Sequence, residues 1–196
     1  SVFALVFGLA TAWALLTFGQ PASTVEAGQP LQVPAGFIDE LVVGGLLAPR
    51  AMAFAPDGRI FLLERGADGT EDINWASLRV IKNGQMLPTR AVSVATCGDS
   101  ERGLLGIALD PAFATNGYVY LYYTRRSTGG TVCAFNTATN GVEGPRNRVS
   151  RFTMTGDVID PGSERILIDN IITDVGYHNA GDLAFGADGY LYISTG

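Results

Sequence analysis

A strand–turn–strand unit occurs three times along this chain, and that recurrence constrains its fold more than any other feature. The first copy reads Ala51-Met52-Ala53-Phe54-Ala55-Pro56-Asp57-Gly58-Arg59-Ile60-Phe61-Leu62. The second runs from Gly106-Ile107-Ala108-Leu109-Asp110-Pro111 through Asn116-Gly117 to Tyr118-Val119-Tyr120-Leu121, and the third from Asp182-Leu183-Ala184-Phe185 through Asp188-Gly189 to Tyr190-Leu191-Tyr192-Ile193. Apolar alternation on both sides of Asp-Gly or Asn-Gly marks a hairpin, because glycine takes a positive φ cheaply and Asp or Asn tolerates it best among the rest. Asp57, Asn116 and Asp188 are therefore read as turn residues: catalysis does not need three copies at one structural place.

Between the hairpins lie further strand candidates at residues 78–82, 91–95, 148–154 and 165–168, which makes four strands per repeat. No long window carries a helical period, so the chain reads as all-β. Four-stranded units recurring along an all-β chain are the signature of β-propeller blades arranged around a channel. Blade one is expected over about residues 50–96, blade two over about 104–172 and the start of blade three over 182–196, following a linker at 28–36. The second blade is lengthened by a Gly-rich excursion over residues 125–147, which belongs on a loop. A ring needs at least about four blades to close, so two and a half blades lead us to expect more chain beyond residue 196.

Residues 1–18 carry no charge and are dominated by Ala, Leu, Val and Phe, before a polar stretch with Pro21, Ser23 and Thr24. That order fits the apolar and cleavage regions of a secretory signal over residues 1–27, with its basic leading segment missing. A retained membrane anchor is the alternative, since about 18 apolar residues is near the lower limit for spanning a bilayer. Export makes a secreted or periplasmic location the expectation. With 47% hydrophobic and 16% charged residues the chain is no disordered tail. Its net charge of −6 and scattered basic residues leave no positive stripe for nucleic acid. Cys97 and Cys133 are the only cysteines, and in an exported chain an even count invites one disulfide, with two unpaired thiols as the other reading. One His and two distant Cys disfavour a zinc site, and no metal ligand is assigned.

The only histidine, His178, stands in Gly176-Tyr177-His178-Asn179-Ala180-Gly181-Asp182, directly before the first strand of the third blade. That strand is expected to line the channel, which puts His178 at a channel mouth. Imidazole exchanges a proton near neutral pH, so a histidine there is a candidate general base, although a lone His is more often a structural hydrogen-bonder.

This stretch and its continuation into a Gly-Ala-Asp-Gly-Tyr-Leu-Tyr turn resemble the quinoprotein glucose/sorbosone dehydrogenase family, the soluble aldose sugar dehydrogenases among them. So do Glu101-Arg102-Gly103-Leu104-Leu105-Gly106-Ile107-Ala108-Leu109-Asp110-Pro111, similar to the family's Gly-Leu-Leu-Gly blade opening, and the segment from Leu46-Leu47-Ala48-Pro49-Arg50 to Pro56-Asp57-Gly58. The resemblance covers about residues 34–196. It implies a six-bladed propeller, a sugar substrate oxidised at C1, pyrroloquinoline quinone and calcium as cofactors, and an external electron acceptor. It assigns His178 the role of the base. Glu101, Arg102 and Asn179 are carried over as candidate cofactor-pocket contacts. Calcium and quinone ligands are expected in later blades. The sequence departs from the glucose-specific pattern twice: Glu101 stands where soluble glucose dehydrogenase has Gln, and Tyr177 where it has Asp before the histidine. A non-catalytic binding propeller of the Hedgehog-interacting type is the second reading. A lactonase-like hydrolase is a third, and the acidic metal cluster it demands is not seen in the sequence.

Overall fold

The structure, a computed structural model, describes residues 32–65, 75–126, 133, 144–173 and 176–196. The apolar segment at residues 1–27 lies outside the described residues. The chain divides into two units, residues 1–39 and 40–196. In the first, a turn closes where the Phe37 N–H donates to the Pro34 carbonyl at 3.1 Å. All the strands among the described residues belong to the second.

The first sheet contains β1 (Pro49–Phe54), β2 (Ile60–Glu64), β3 (Trp75–Lys82), β4 (Gln85–Met86) and β5 (Val92–Ala95). It runs β1-β2-β3, with β4 and β5 both antiparallel along the far edge of β3. These two are one outer strand broken in the middle. The Leu87 N–H donates to Val80 O and the Ala91 N–H to Leu78 O, each at 2.8 Å, while Pro88 between them has no N–H to give. The turn into β4 is Asn83-Gly84, with φ of 53° and 73°, the mirror-image geometry that suits a two-residue hairpin.

The second sheet, in order β6-β7-β8-β9, holds β6 (Leu104–Leu109), β7 (Tyr118–Arg125), β8 (Arg146–Thr155) and β9 (Val158–Ile171), with a single helical turn α1 (Phe113–Asn116) between β6 and β7. β9 begins seven residues before the strand expected at 165, because Pro161-Gly162 reads as a break. The ladder absorbs it as a bulge between the pairs Arg151↔Arg165 and Thr153↔Asp160. The hairpin of β10 (Leu183–Phe185) and β11 (Leu191–Ile193) opens a third sheet.

Alternate residues of the middle sheet face opposite neighbours, as the pleat requires. Leu104, Ile107, Val119, Leu121, Phe152 and Ile159 meet Phe61, Leu63, Leu78 and Val80 of the first sheet. On the other face Leu105, Ala108, Tyr122 and Val149 meet Leu183, Phe185, Leu191 and Ile193 of the third. The innermost strands β1, β6 and β10 neighbour one another in that order. Sheets stacked face to face on successive inner strands are blades of a β-propeller.

Each hairpin turn uses one device. Asp57 Oδ1 accepts the Arg59 N–H at 3.2 Å, Asn116 Oδ1 the Tyr118 N–H at 2.9 Å and Asp188 Oδ1 the Tyr190 N–H at 3.1 Å. The turn reading of these three residues is the observed one. The glycines of Gly103-Leu104-Leu105-Gly106 have a different purpose: a Cβ on Gly103 would strike Arg65 of the first sheet, and one on Gly106 would strike the Gly181 carbonyl ahead of the third. The motif is where the middle blade touches both neighbours backbone to backbone.

Candidate functional site

His178 lies on the connection between β9 and β10, at the end of the sheets opposite the hairpin turns. Its side chain is exposed. The backbone here is left-handed at residues other than glycine, with φ of 61° at His178 and 46° at Ala180, followed by 109° at Gly181. Such a conformation persists only where surrounding structure dictates it, and it clusters at functional sites.

Two sets of contacts dictate it. The first comes from the turn ahead of β6. The Glu101 N–H donates to Gly176 O at 2.9 Å, and Glu101 Oε2 accepts the His178 N–H at 2.6 Å. Glu101, a candidate cofactor-pocket contact, thus binds the backbone of His178.

The second set is buried. Arg102 is 2% exposed; its Nε donates to Thr173 Oγ1 at 3.1 Å, one terminal nitrogen to Thr173 O at 2.9 Å and the other to Asp99 at 3.0 Å. Thr173 Oγ1 donates to Asn179 Oδ1 at 2.5 Å, and Asn147 Nδ2 donates to the same oxygen at 3.0 Å. Asn179 Nδ2 donates to Gly176 O at 3.0 Å, and the Tyr122 hydroxyl to Asn179 O at 3.1 Å. Thr124 Oγ1 donates to Asn147 Oδ1 at 2.6 Å. Arg102 and Asn179, the candidate cofactor-pocket contacts, are both buried, and their side chains bond Thr173, Asp99, Asn147 and Gly176 around the loop. Burying a guanidinium and two amides without partners would be costly, and here their partners are the residues that fix the loop.

Thr124, Asn147, Thr173 and Tyr122 were not singled out from the sequence. The available signal was a polar residue standing where strand alternation calls for an apolar one, since Thr124 and Asn147 continue the faces that bury Tyr122 and Val149. A disulfide joins Cys97 to Cys133, with Cα atoms 5.3 Å apart. The Cys97 N–H donates to Thr124 O at 2.9 Å, so the bridge adjoins this network. At the other end of the strands, a cleft of about 430 Å³ is lined by turn residues including Arg59, Lys82, Asn83 and Asp157. Arg59 there bridges Asp57 and Asp157 at 2.6 and 2.9 Å, and Lys82 meets Asp157 at 3.0 Å.

Residues 46–196 match the family model described as Glucose / Sorbosone dehydrogenase. Among solved structures, a putative oxidoreductase (glucose dehydrogenase) from Thermus thermophilus is 34% identical, with a TM-score of 0.60 over 80% of this chain and 40% of that one. The PQQ-bound aldose sugar dehydrogenase from Streptomyces coelicolor is 27% identical, with a TM-score of 0.53 over the same shares. The human Hedgehog-interacting protein is 28% identical over 167 residues, 82% of this chain and 22% of that protein. The chain spans 21% to 42% of the length of three curated relatives it matches, this one among them.

Proposed function

The chain belongs to the glucose/sorbosone dehydrogenase family, and on that footing we propose that the protein is an exported dehydrogenase that oxidises an aldose or related sugar at C1, with His178 as general base. The observation that carries this reading is an exposed imidazole on a backbone held in a left-handed conformation from two directions. A base whose backbone is so fixed has less to order before it meets a hydroxyl proton, which is the advantage of a preorganised loop. Removing the C1 hydroxyl proton eases departure of hydride from the same carbon. Pyrroloquinoline quinone, proposed here as in the Streptomyces relative, would supply the hydride acceptor when bound. The chemistry of the described residues fits that group at one point: the His178 imidazole could take the sugar hydroxyl proton while the quinone takes the hydride. The nearby Arg102 is turned inward, so no described cation is assigned to the quinone carboxylates. Calcium is proposed as the companion ion, but no group of three or more His, Cys, Asp or Glu that could hold a metal occurs among the described residues, and it is given no step. Export is supported by the Cys97–Cys133 bridge, since cytosolic thiols are kept reduced.

The test is dye reduction by the full-length protein loaded with quinone and calcium, with an aldose as donor. His178→Ala should lose about two or more orders of magnitude, the usual effect of deleting a general base. Undiminished turnover in that variant overturns the assignment. The similarity to Hedgehog-interacting protein supports a second reading, a propeller that binds a protein partner; a wild type inert toward every aldose would favour it.

A further inference from the structure

We infer that Asn147 is a positioning residue for His178, acting through Asn179; this rests on the reading of His178 as the base. The buried contacts form a chain with one direction. The Gly103 N–H donates to Thr124 Oγ1 at 3.4 Å, Thr124 Oγ1 to Asn147 Oδ1 at 2.6 Å, Asn147 Nδ2 to Asn179 Oδ1 at 3.0 Å, and Asn179 Nδ2 to Gly176 O at 3.0 Å. Thr124 Oγ1 thus accepts from a backbone N–H and gives its own proton to Asn147. The Asn147 oxygen faces Thr124, which turns its amide nitrogen toward Asn179. Asn179 must then present its oxygen to Asn147 and its nitrogen to the loop. Each side chain in the series is buried, with Thr124 at 0%, Asn147 at 1% and Asn179 at 3% exposure, so water cannot substitute for a lost partner.

The arrangement spans blade two and the loop that carries the base. Thr124 and Asn147 are a cross-strand pair of the β7–β8 ladder, a rigid element. Asn179 sits between the two residues with left-handed backbone, His178 and Ala180. The carboxamide of Asn147 thus transmits the register of the sheet to the φ of the residue before Asn179. A carboxylate of the same size cannot do so. Asn147→Asp has no N–H to donate and sets a negative oxygen against Asn179 Oδ1; if the Asn179 amide turned to satisfy it, Gly176 O would lose its donor.

The test uses the full-length, quinone-loaded protein and two variants, Asn147→Asp and the near-isosteric Thr124→Val, with Thr124→Ser as the conservative control. Both of the first two should lower kcat about tenfold or more, the size of effect that a displaced catalytic group produces, with KM for the aldose changed less than about twofold. Hydrogen–deuterium exchange should rise about tenfold in peptides spanning 176–181 and stay unchanged in β6 and β7, a local opening rather than a global one. Thr124→Ser keeps the hydroxyl and should restore both readouts toward wild type. Unchanged exchange over 176–181 in Asn147→Asp, or a rise spread evenly over both sheets, overturns the inference. If exchange responds as expected while His178→Ala turns over normally, the positioning of the loop stands and the proposed function falls. If both variants fail to fold, Thr124→Ser decides: exchange as fast as in an unfolded loop despite the retained hydroxyl would also overturn it.

Discussion

Gly106 faces the carbonyl of Gly181 so closely that no side chain fits between them, and neither backbone can withdraw, because Gly181 in turn rests on the Tyr122 ring and on Leu105. Gly106→Ala should therefore cost about 3 kcal/mol or more, the upper end for overpacking, seen as a lower urea midpoint. Tyr123 supplies a second test. Burial first, and then the Glu164 carboxylate that accepts its hydroxyl proton, push its pKa up to about 12. A group whose folded pKa lies above its unfolded value of about 10 contributes stability fully present below pH 10, lost as pH rises toward 12. Glu164→Gln retains the burial and removes the charge, so phenolate absorbance, referenced to Tyr123→Phe, should show Tyr123 ionising at lower pH. Single residues differ in how plainly the sequence declares them. Asp57, Asn116 and Asp188 could be read because an Asx turn is a local bond two residues long. The partners of Asn179 could not, because Tyr122, Asn147 and Thr173 lie 57, 32 and 6 positions away and only the folded chain brings them together.

Between elements, the first two blades are clasped at their turn end by Arg59, which reaches from the β1–β2 hairpin to Gly156 O and Asp157 in the β8–β9 turn. Asp57 is held below the usual carboxylate range chiefly by its hydrogen bond from Arg59, and Asp157 chiefly by that from Lys82 with help from Arg59, in each case against the opposing effect of burial. The sign follows: a depressed carboxylate adds stability that is whole above its unfolded pKa of about 4 and vanishes as pH falls through the folded value. Arg59→Ala should thus flatten the decline in stability below about pH 4, compared by urea melts at neutral and acid pH. Most strands were legible from alternation and turn residues. The first half of β9 was not, since Pro161-Gly162 looks like an end and only the bulge opposite Arg151–Thr153 lets the ladder continue. The broken outer strand of the first sheet was likewise read only in its second half, because β4 is two residues long.

For the molecule as a whole, repetition made the stack of blades readable before any contact was known, whereas the route by which one blade controls its neighbour's loop was not, since it lies in buried amides rather than in pattern. The Cys97–Cys133 bridge closes 36 positions of chain, and restraining a loop of that length is worth about 4 kcal/mol in the unfolded-chain view. Reduction, or the pair Cys97→Ser and Cys133→Ser, should lower the unfolding free energy by roughly that amount in a denaturant series. Tyr122 and Asn147 belong to the second blade, yet what they grip is the stretch from Gly176 to Gly181, which precedes the third. Anyone exchanging blades among such proteins should accordingly cut after Gly181: a crossover made at the end of β9 would hand the histidine to a foreign host that lacks its lock.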